Sequence, residues 1–568
     1  MEREAIQHGR RRGMIATGWL VLLLLWTGMP AEGRADGSSL EEQIGAYLRA
    51  TYPADEPGAA VIAVREGEVV YRAAHGMANL EHGIPLEPDM VFRLGSITKQ
   101  FTAAAILLLE ERGKLSIEDP ITKFLPDYPV RGHEITVAHL VSHTSGIRSY
   151  TGIPGWVQTK IKQDLTLEEL IDGFKLEPMD FAPGERLQYN NSGYVLLGAV
   201  IEKASGKSYE EFIVEEIFRP LGMSSSCYGD HARIIPRRVS GYERGSDGFR
   251  NAQYLSMSQP HAAGSLLSTV DDLAKWDAAL YTDALLGAES RKKQVQPFPL
   301  NDGESTRYAY GLFIGDFRGQ PMIQHGGGIF GFSTYGLRLP RDRVYVAVLT
   351  NGPRPVPPGL VAQKIAAMVI EDPFPDRKAI SLAPSKLDEY TGVYRMDDDA
   401  TRTVTRVDGQ LFTQRTGGGR QPIEPESEKL FFYPNSFTYL TFERDPGGKV
   451  THMLFYPEGE ETAERAERTG DAPAGPVAVK VDPAIYERYV GVYEIGPGFD
   501  LAVTCDGERL FGQATGQGAA ELFPSSETEF FFKVVDAQLR FVPGDGGRAT
   551  HAILIQGGRE IKASRKSG

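Results

Sequence analysis

The chain has 568 residues, room for about four domains at most, and its 41% hydrophobic and 24% charged residues exclude a disordered, collagen-like or coiled-coil chain. The formal charge of −14 argues against a nucleic-acid partner, which requires a basic face. The two cysteines, Cys227 and Cys505, exclude a disulfide scaffold, and we interpret both as buried free thiols.

The N-terminus has the pattern of a targeting segment. Three arginines, ending at Arg12, precede an apolar run over residues 15–29, and small residues follow it. This run is shorter than the ~20 residues that a membrane span needs. We therefore predict a cleaved signal peptide over residues 1–35 and export to the periplasm or the medium. The alternative is an uncleaved N-terminal anchor, the only membrane association that the sequence suggests.

The long segment that follows mixes helix-like and strand-like patterns and ends near residue 376. Residues 241–264 have no clear period, so we predict a loop there. Prolines break the last helical run just after residue 370, and we predict a domain over residues 36–378. The clearest patterns predict helices over 41–52, 101–112 and 193–204 and strands over 59–64 and 344–349.

The C-terminal part of the chain repeats itself. Short alternating apolar runs are separated by Asp-Gly and Gly-Gly pairs, which are typical of hairpins. Landmarks recur after 99 residues: Gly392 matches Gly491, and the pair 411–412 matches 510–511. We predict two similar all-β domains, over residues 379–478 and 479–568. Each is predicted to be a closed antiparallel barrel, because closure removes exposed strand edges.

The sharpest chemical signal is a Ser-x-x-Lys motif formed by Ser96 and Lys99. At helical spacing these two residues lie on one face. A lysine whose pKa is lowered by desolvation is able to take the serine proton and so activate the hydroxyl as a nucleophile. Taken alone, the motif also fits a capped surface helix.

Two further motifs add other catalytic groups. Tyr189 and Asn191 form a Tyr-x-Asn motif, in which a tyrosine near a lysine charge loses its proton more readily and acts as a general base. The asparagine is expected to hydrogen-bond both the lysine and a substrate amide. By themselves, Tyr189 and Asn191 also fit a buried tyrosine and a helix cap. His325, Gly327 and Gly328 lie in a His-Gly-Gly-Gly run. Its glycines let a substrate lie against an edge strand, and a free amide there points at a developing oxyanion.

With these three motifs in this order, the chain resembles the serine β-lactamase and penicillin-binding-protein superfamily. More closely, it is similar to the class C β-lactamase-like branch of D-aminopeptidases, D-alanyl-D-alanine carboxypeptidases and family VIII esterases. The resemblance covers about residues 40–376 and includes the phrase Leu-Val-Ser-His-Thr-Ser-Gly at 140–146. It implies an α/β (α+β) β-lactamase/transpeptidase-like domain whose antiparallel sheet is flanked by helices. Some relatives carry similar lipocalin-like barrels, and here we expect the barrels to modulate the site without supplying chemistry.

The resemblance also implies a role for each residue. Ser96 attacks and becomes the acyl-enzyme, while Lys99 and Tyr189 share the general-base work and Tyr189 protonates the leaving group. Asn191 positions the substrate, and the amides of Ser96 and Gly328 form the oxyanion hole. The implied enzyme needs no metal and no cofactor. Its substrate is a short peptide or amide, with D-residues as one option, or an ester, and the oligomeric state stays open.

One position departs from the family pattern. His325 stands where β-lactamases have lysine, and a largely neutral histidine anchors a substrate carboxylate less strongly. This favours peptidase or esterase activity over penicillin hydrolysis. The alternatives are a true β-lactamase, a non-enzymatic penicillin-binding sensor, and ligand binding by the barrels as the main function. His139 and His143 have the spacing of metal ligands on a helix, but no glutamate accompanies them, so we predict structural histidines.

Overall fold

The computed structural model describes residues 38–566, except 246, 398–399, 460–461, 474–475, 477, 497–498, 516–517, 534, 545 and 557–558. The predicted signal peptide, residues 1–35, lies outside this range. In the part of the chain that is described, no helix is both long enough and apolar enough to cross a membrane.

A six-stranded antiparallel sheet forms the centre of residues 40–370, which we call the mixed α/β region. Its strands in chain order are β1 (Ala59–Arg65), β2 (Glu68–His75), β3 (Met77–Asn79), β4 (Ile84–Pro85), β5 (Phe92–Arg93), β6 (Cys227–Tyr228), β7 (Tyr242–Gly245), β8 (Gly248–Asn251), β9 (Leu266–Ser268), β10 (Phe313–Phe317), β11 (Gln320–Ile329), β12 (Phe332–Leu339) and β13 (Val344–Thr350). The central sheet has the order β10-β11-β12-β13-β1-β2. Smaller sheets are β3-β4, β5-β9-β6 and β7-β8.

Helices cover both faces of this sheet. The α-helices are α1 (Leu40–Thr51), α2 (Thr98–Glu111), α3 (Val137–Val141), α4 (Leu167–Asp172), α5 (Asn191–Ser205), α6 (Tyr209–Ile213), α7 (Val270–Ala279), α8 (Ala288–Gln294), α9 (Pro358–Val369) and α10 (Pro384–Asp388). Short 3-10 segments lie at Gly95–Ile97, Ile121–Lys123, Tyr150–Gly152, Lys160–Lys162, His261–Ala263, Pro457–Gly459 and Pro483–Arg488, and a π-helical segment, Val214–Phe218, continues α6.

The covering helices explain why β1 is apolar along almost its whole length. Ile62 belongs to the core on the side of α2 and α5, whereas Val61, on the opposite face, packs with α1 and α9. A strand buried on both faces reads as a continuous apolar run. The predicted helices and strands of this region are present, with shifts of up to three residues at their ends.

The predicted loop over residues 241–264 is partly wrong, because it contains the hairpin β7-β8. Each of these strands has four residues, and of the eight only Tyr242 is buried, so no alternating apolar pattern indicates them. The prediction for the cysteines is also partly wrong. Cys227 and Cys505 are unpaired but only half-buried, since Cys227 lies in the edge strand β6 and Cys505 at the end of a strand.

Two closed antiparallel barrels of eight strands follow, as the repeats predicted. Barrel 1 consists of β14 (Gly392–Arg395), β15 (Thr401–Val407), β16 (Gln410–Arg415), β17 (Arg420–Pro425), β18 (Leu430–Phe432), β19 (Tyr439–Arg444), β20 (Val450–Tyr456) and β21 (Glu464–Gly470). Barrel 2 consists of β22 (Gly491–Gly496), β23 (Phe499–Cys505), β24 (Leu510–Ala514), β25 (Ala520–Pro524), β26 (Glu529–Phe532), β27 (Ala537–Pro543), β28 (Ala549–Gln556) and β29 (Arg559–Arg565).

Barrel 1 meets the mixed α/β region near α9 and the turn between β10 and β11. The rings of Phe374 and Phe437 stack there with centroids 3.5 Å apart, and Arg377 pairs with Glu426. Phe374 also contacts Phe317, the last residue of β10, at a centroid distance of 5.8 Å. This is the end of the β10-β11 hairpin that lies away from the His-Gly-Gly-Gly run.

Candidate active site

Ser96 is held at the start of α2 by a tight turn. The turn Gly95–Ile97 runs directly into the helix. Gly95 has a φ of +56°, which favours glycine. A Cβ on Gly95 would lie 3.0 Å from the backbone nitrogen of Gly328. This close approach brings Ser96 beside β11.

Lys99 lies one helical turn after Ser96 and is fully buried. Its Nζ is 3.2 Å from Ser96 Oγ, 2.9 Å from Asn191 Oδ1 and 2.8 Å from the backbone oxygen of Ala263. Burial lowers the pKa of Lys99 well below its ordinary value, because the charged form loses its water. The sequence predicted the first two neighbours. It gave no sign of the third, which lies in a segment predicted to be loop.

Asn191 opens α5, and hydrogen bonds fix both ends of its amide. Oδ1 faces Lys99, while Nδ2 donates to Thr151 Oγ1 at 3.2 Å. Its backbone nitrogen donates to Ser149 Oγ at 3.1 Å. Asn190 caps the helix with its side chain. The Tyr-x-Asn motif is therefore fixed at a helix N-terminus.

Tyr189 borders the same group of residues but stays accessible, with 39% of the residue exposed. Lys99 Nζ lies 4.7 Å from the centre of its ring. Desolvation raises the pKa of Tyr189, and a hydrogen bond with Ser96 offsets this only in part. The phenol is therefore protonated at neutral pH. This differs from the sequence expectation of a tyrosine ionised by a lysine charge, because desolvation dominates.

Gly327 and Gly328 have different surroundings. A Cβ on Gly327 would lie 1.9 Å from the backbone oxygen of Leu94 and 2.3 Å from Thr334 Oγ1, so only glycine fits there. A Cβ on Gly328 would meet nothing within 4 Å. Gly327 thus permits the packing of β11, whereas Gly328 faces open space beside Ser96.

His325 lies beneath the site rather than in the cleft, with only 2% of the residue exposed. Its Nε2 is 3.2 Å from the Tyr308 hydroxyl, and its Nδ1 is 2.6 Å from the backbone oxygen of Gly326. Burial lowers the pKa of His325 to about 3. The ring is neutral at pH 7, and both nitrogens already have partners within the chain.

The structure adds His143, which the sequence interpretation treated as structural. The residue is 1% exposed, and its ring centre lies 4.3 Å from that of Tyr189 and 4.6 Å from that of Tyr308. Its Nδ1 accepts a hydrogen bond from the backbone nitrogen of Asn190 at 3.1 Å. Only the phrase at residues 140–146 pointed towards this residue. His139, by contrast, closes the capping box of α3.

Of these residues, Gly95, Ser96, Asn191 and Gly328 line a small cleft of about 140 Å³. Among its described lining residues no side chain is acidic or basic. The lining consists of Gly95, Ser96, Tyr150, Thr151, Val157, Ile161, Asn191, Leu255, Pro260, Ala263, Gly264, Gly328, Ile329 and Phe330. Every one of these belongs to the mixed α/β region, so the cleft is built without either barrel.

Two family models match the chain. The β-lactamase family matches residues 48–368, more than half of the chain. A domain of unknown function (DUF3471) matches twice, at residues 376–468 and 475–564. These two matches contain all the strands of barrels 1 and 2 except the ends of the last strand of each.

Several known proteins are similar over much of this length. Penicillin-binding protein 4* of Bacillus subtilis is 28% identical over 530 residues, which cover 89% of this chain and 94% of that protein. The D-aminopeptidase of Gluconobacter oxydans is 29% identical and covers 75% of each chain. The solved structure of an octameric penicillin-binding protein homologue from Pyrococcus abyssi aligns with a TM-score of 0.54 and 28% identity, over 75% of this chain and 99% of that chain.

Proposed function

The chain belongs to the β-lactamase family of serine hydrolases, and we propose that it hydrolyses short, uncharged esters and amides through an acyl-enzyme on Ser96. The observation that carries the proposal is the set of three oxygen atoms around Lys99 Nζ. Two of them, Asn191 Oδ1 and the backbone oxygen of Ala263, only accept hydrogen bonds. The third belongs to the nucleophile.

This arrangement suits a neutral amine. A neutral Lys99 has two N–H groups, which satisfy the two carbonyl oxygens, and one lone pair, which is left for the Ser96 hydroxyl. Ser96 then donates its hydrogen bond to Nζ, the geometry that a general base needs. The lowered pKa of Lys99 supports the neutral form.

The reaction follows from these positions. Ser96 Oγ attacks the acyl carbon while its proton passes to Lys99 Nζ. The negative oxygen of the tetrahedral intermediate is placed to accept from the amides of Ser96 and Gly328. Tyr189, whose phenol is protonated at neutral pH, then gives its proton to the leaving group and regains one through Lys99. Water attacks the acyl-enzyme by the reverse path and releases the acid.

The cleft supports an uncharged, short acyl group. About 140 Å³ is small beside the ~300–1,000 Å³ of pockets that enclose a whole drug-sized ligand. No basic side chain in the described lining is available for a substrate carboxylate, and His325 is neutral and buried. Both facts weigh against penicillin hydrolysis, the first alternative from the sequence. The catalytic groups Ser96, Lys99 and Tyr189 are all present, and this weighs against the second alternative, a non-enzymatic sensor.

A second candidate within this class is the hydrolysis of D-aminoacyl amides. It is favoured by the similarity to the Gluconobacter oxydans D-aminopeptidase, which extends over 75% of each chain. We further propose export through residues 1–35, supported by the basic and apolar pattern of that segment alone. N-terminal sequencing of the mature protein tests the proposed cleavage after Ala35.

Labelling followed by a substrate panel tests the proposed function. A fluorophosphonate should modify Ser96, located by peptide mass spectrometry, and Ser96→Ala should abolish the label. The panel contains p-nitrophenyl acetate, D- and L-alanyl p-nitroanilide, and nitrocefin. We expect ester turnover above D-anilide turnover, and both far above that of nitrocefin. Efficient nitrocefin hydrolysis, or a label on another residue, would contradict the proposal.

A further inference from the structure

We infer that His143 is a positioning residue that holds Tyr189 in place for proton transfer. The inference rests on the proposed function, because it gives Tyr189 the role described above. It assigns a task to a residue whose sequence spacing suggested no more than a structural histidine.

His143 accepts hydrogen bonds from the residues on both sides of Tyr189. Its backbone oxygen accepts from the backbone nitrogen of Gln188 at 2.9 Å, and its Nδ1 accepts from that of Asn190 at 3.1 Å. The ring lies against the Tyr189 ring, with centroids 4.3 Å apart. One residue therefore fixes the backbone before and after the tyrosine and also supports its aromatic face.

The backbone of His143 indicates that the side chain is needed. Its φ is +61°, a left-handed conformation, just after the end of α3. Glycine is the usual residue at such a helix end, because any side chain there is strained. Strain of this kind persists where the surrounding structure requires it. A histidine in place of glycine suggests that the ring contributes something a glycine does not.

The ring also has the protonation state that the hydrogen bond to Nδ1 requires. Burial lowers the pKa of His143 well below its ordinary value, because the charged ring would lose its water. The neutral ring accepts at Nδ1 and carries its hydrogen on Nε2. Nε2 is buried and has no hydrogen-bond partner in the described part of the protein. In the described structure, the side chain of His143 thus contacts Tyr189 and its neighbour Asn190 through the ring and through Nδ1.

A double-mutant cycle in the full-length chain tests the inference. The variants are His143→Gly, Tyr189→Phe and the double variant, assayed for kcat and KM on D-alanyl p-nitroanilide and p-nitrophenyl acetate. Glycine suits the left-handed backbone, so His143→Gly should fold. We expect kcat on the anilide to fall about 10–100-fold, as for a misplaced catalytic group, with a smaller loss on the ester and little change in KM on either substrate. The double variant should match Tyr189→Phe within about twofold, because His143 acts only through the phenol.

Chemical rescue separates positioning from a general structural role. Free imidazole fits the space left by the side chain, so it should raise the kcat of His143→Gly and leave the double variant unchanged. His139→Gln is the matched control, since it removes a histidine from α3, retains a capping-box residue and should keep wild-type kcat. If His143→Gly does not fold, His143→Asn replaces it in the same cycle, because asparagine tolerates a left-handed backbone.

Different outcomes overturn different claims. Independent, multiplying losses in the double variant, or full activity of His143→Gly, reject the positioning role and leave the proposed function intact. A wild-type chain without a label on Ser96 rejects the proposed function and the inference with it. Tyr189→Phe at wild-type activity on the anilide rejects the inference and the role of Tyr189 as the acid, and leaves the acyl-enzyme on Ser96 intact.

Discussion

The mixed α/β region and the two barrels differ in the polar groups that they bury. In the barrels the same hydrogen bond occurs twice: Tyr394 and Tyr493 each donate to the backbone oxygen four residues earlier, both at 2.7 Å. In the mixed region, Lys99 and His325 are buried and their pKa values are lowered by desolvation. Burying an ionisable group in this way opposes folding.

The difference helps to separate structure from chemistry within one chain. A hydrogen bond that occurs at the same place in both copies of a module belongs to the fold that the two copies share. A desolvated lysine that contacts a serine hydroxyl weakens folding and gains reactivity in return. The comparison predicts opposite phenotypes: removing site residues should spare stability and abolish activity, and removing the repeated barrel bonds should do the reverse.

The largest effect is expected for Lys99→Met. Methionine has a similar length and no charge to desolvate, so the melting temperature should stay within a few degrees of wild type. Ester and amide turnover should fall by about 10³-fold or more, because Ser96 loses its base. Paired thermal melts and initial rates check this. A variant that loses both stability and activity would show that Lys99 is structural, and would remove the contrast with the barrels.

Tyr189→Phe should lower kcat/KM much more for the anilide substrate than for the ester. An amine leaves only when protonated, whereas p-nitrophenolate leaves without a proton. We therefore expect a loss of roughly 10²–10⁴-fold on D-alanyl p-nitroanilide and a loss at least tenfold smaller on p-nitrophenyl acetate. The measurement is kcat/KM for both substrates with the same enzyme preparation. Equal losses on the two substrates would mean that Tyr189 does not protonate the leaving group.

Acid should unfold the mixed region before the barrels. The folded pKa of His325 is about 3 and that of His261 about 4, against 6.5 for an exposed histidine. Below pH ~6.5 the unfolded chain binds protons that the folded chain does not bind. The free energy of unfolding therefore falls as the pH drops towards 3. For His325 alone the loss is of order several kcal/mol. The barrel histidines, His452 and His551, are partly exposed.

Two spectroscopic signals follow the two parts separately. Trp156 and Trp276 lie in the mixed region, and the barrels contain no tryptophan. Tryptophan fluorescence reports the mixed region alone, so it should change at a higher pH than the last part of the circular dichroism signal, which comes from the barrels. His325→Gln should move only the fluorescence transition to lower pH. Coincident transitions in the wild type would show that the regions unfold as one unit.

Substituting the barrel tyrosines should have the opposite effect to Lys99→Met, lowering stability and leaving activity unchanged. Tyr394→Phe and Tyr493→Phe each remove one buried hydrogen bond of the same length. Each should lower the free energy of unfolding by about 1–2 kcal/mol, by similar amounts, with kcat/KM unchanged. Urea unfolding followed by circular dichroism provides the measurement. Strongly unequal effects would indicate that the two bonds have different roles despite their equivalent places.

The sequence was sufficient where a pattern is local or repeated. The 99-residue repeat was enough to predict both barrels, and the three motifs predicted that Ser96, Lys99, Tyr189 and Asn191 meet. The sequence was insufficient where two groups without a shared motif are brought together only by the tertiary fold. No motif marks the Ala263 oxygen that accepts from Lys99. Nor did the spacing show that His325 turns beneath the site, because a strand residue's face depends on its pairing register.

A small effect on catalysis is also expected from Phe437→Ala, at the junction between barrel 1 and the mixed region. This change removes the ring stacked on Phe374 and should loosen the junction. The described residues that line the cleft all lie between Gly95 and Phe330, so kcat/KM should stay within about twofold of wild type. Phe330→Ala, which alters the lining itself, is the control and should change KM for p-nitrophenyl esters. A shift in ester chain-length preference in Phe437→Ala as large as that in the control would mean that barrel 1 acts on the cleft, and the separation between chemistry and barrels would fail.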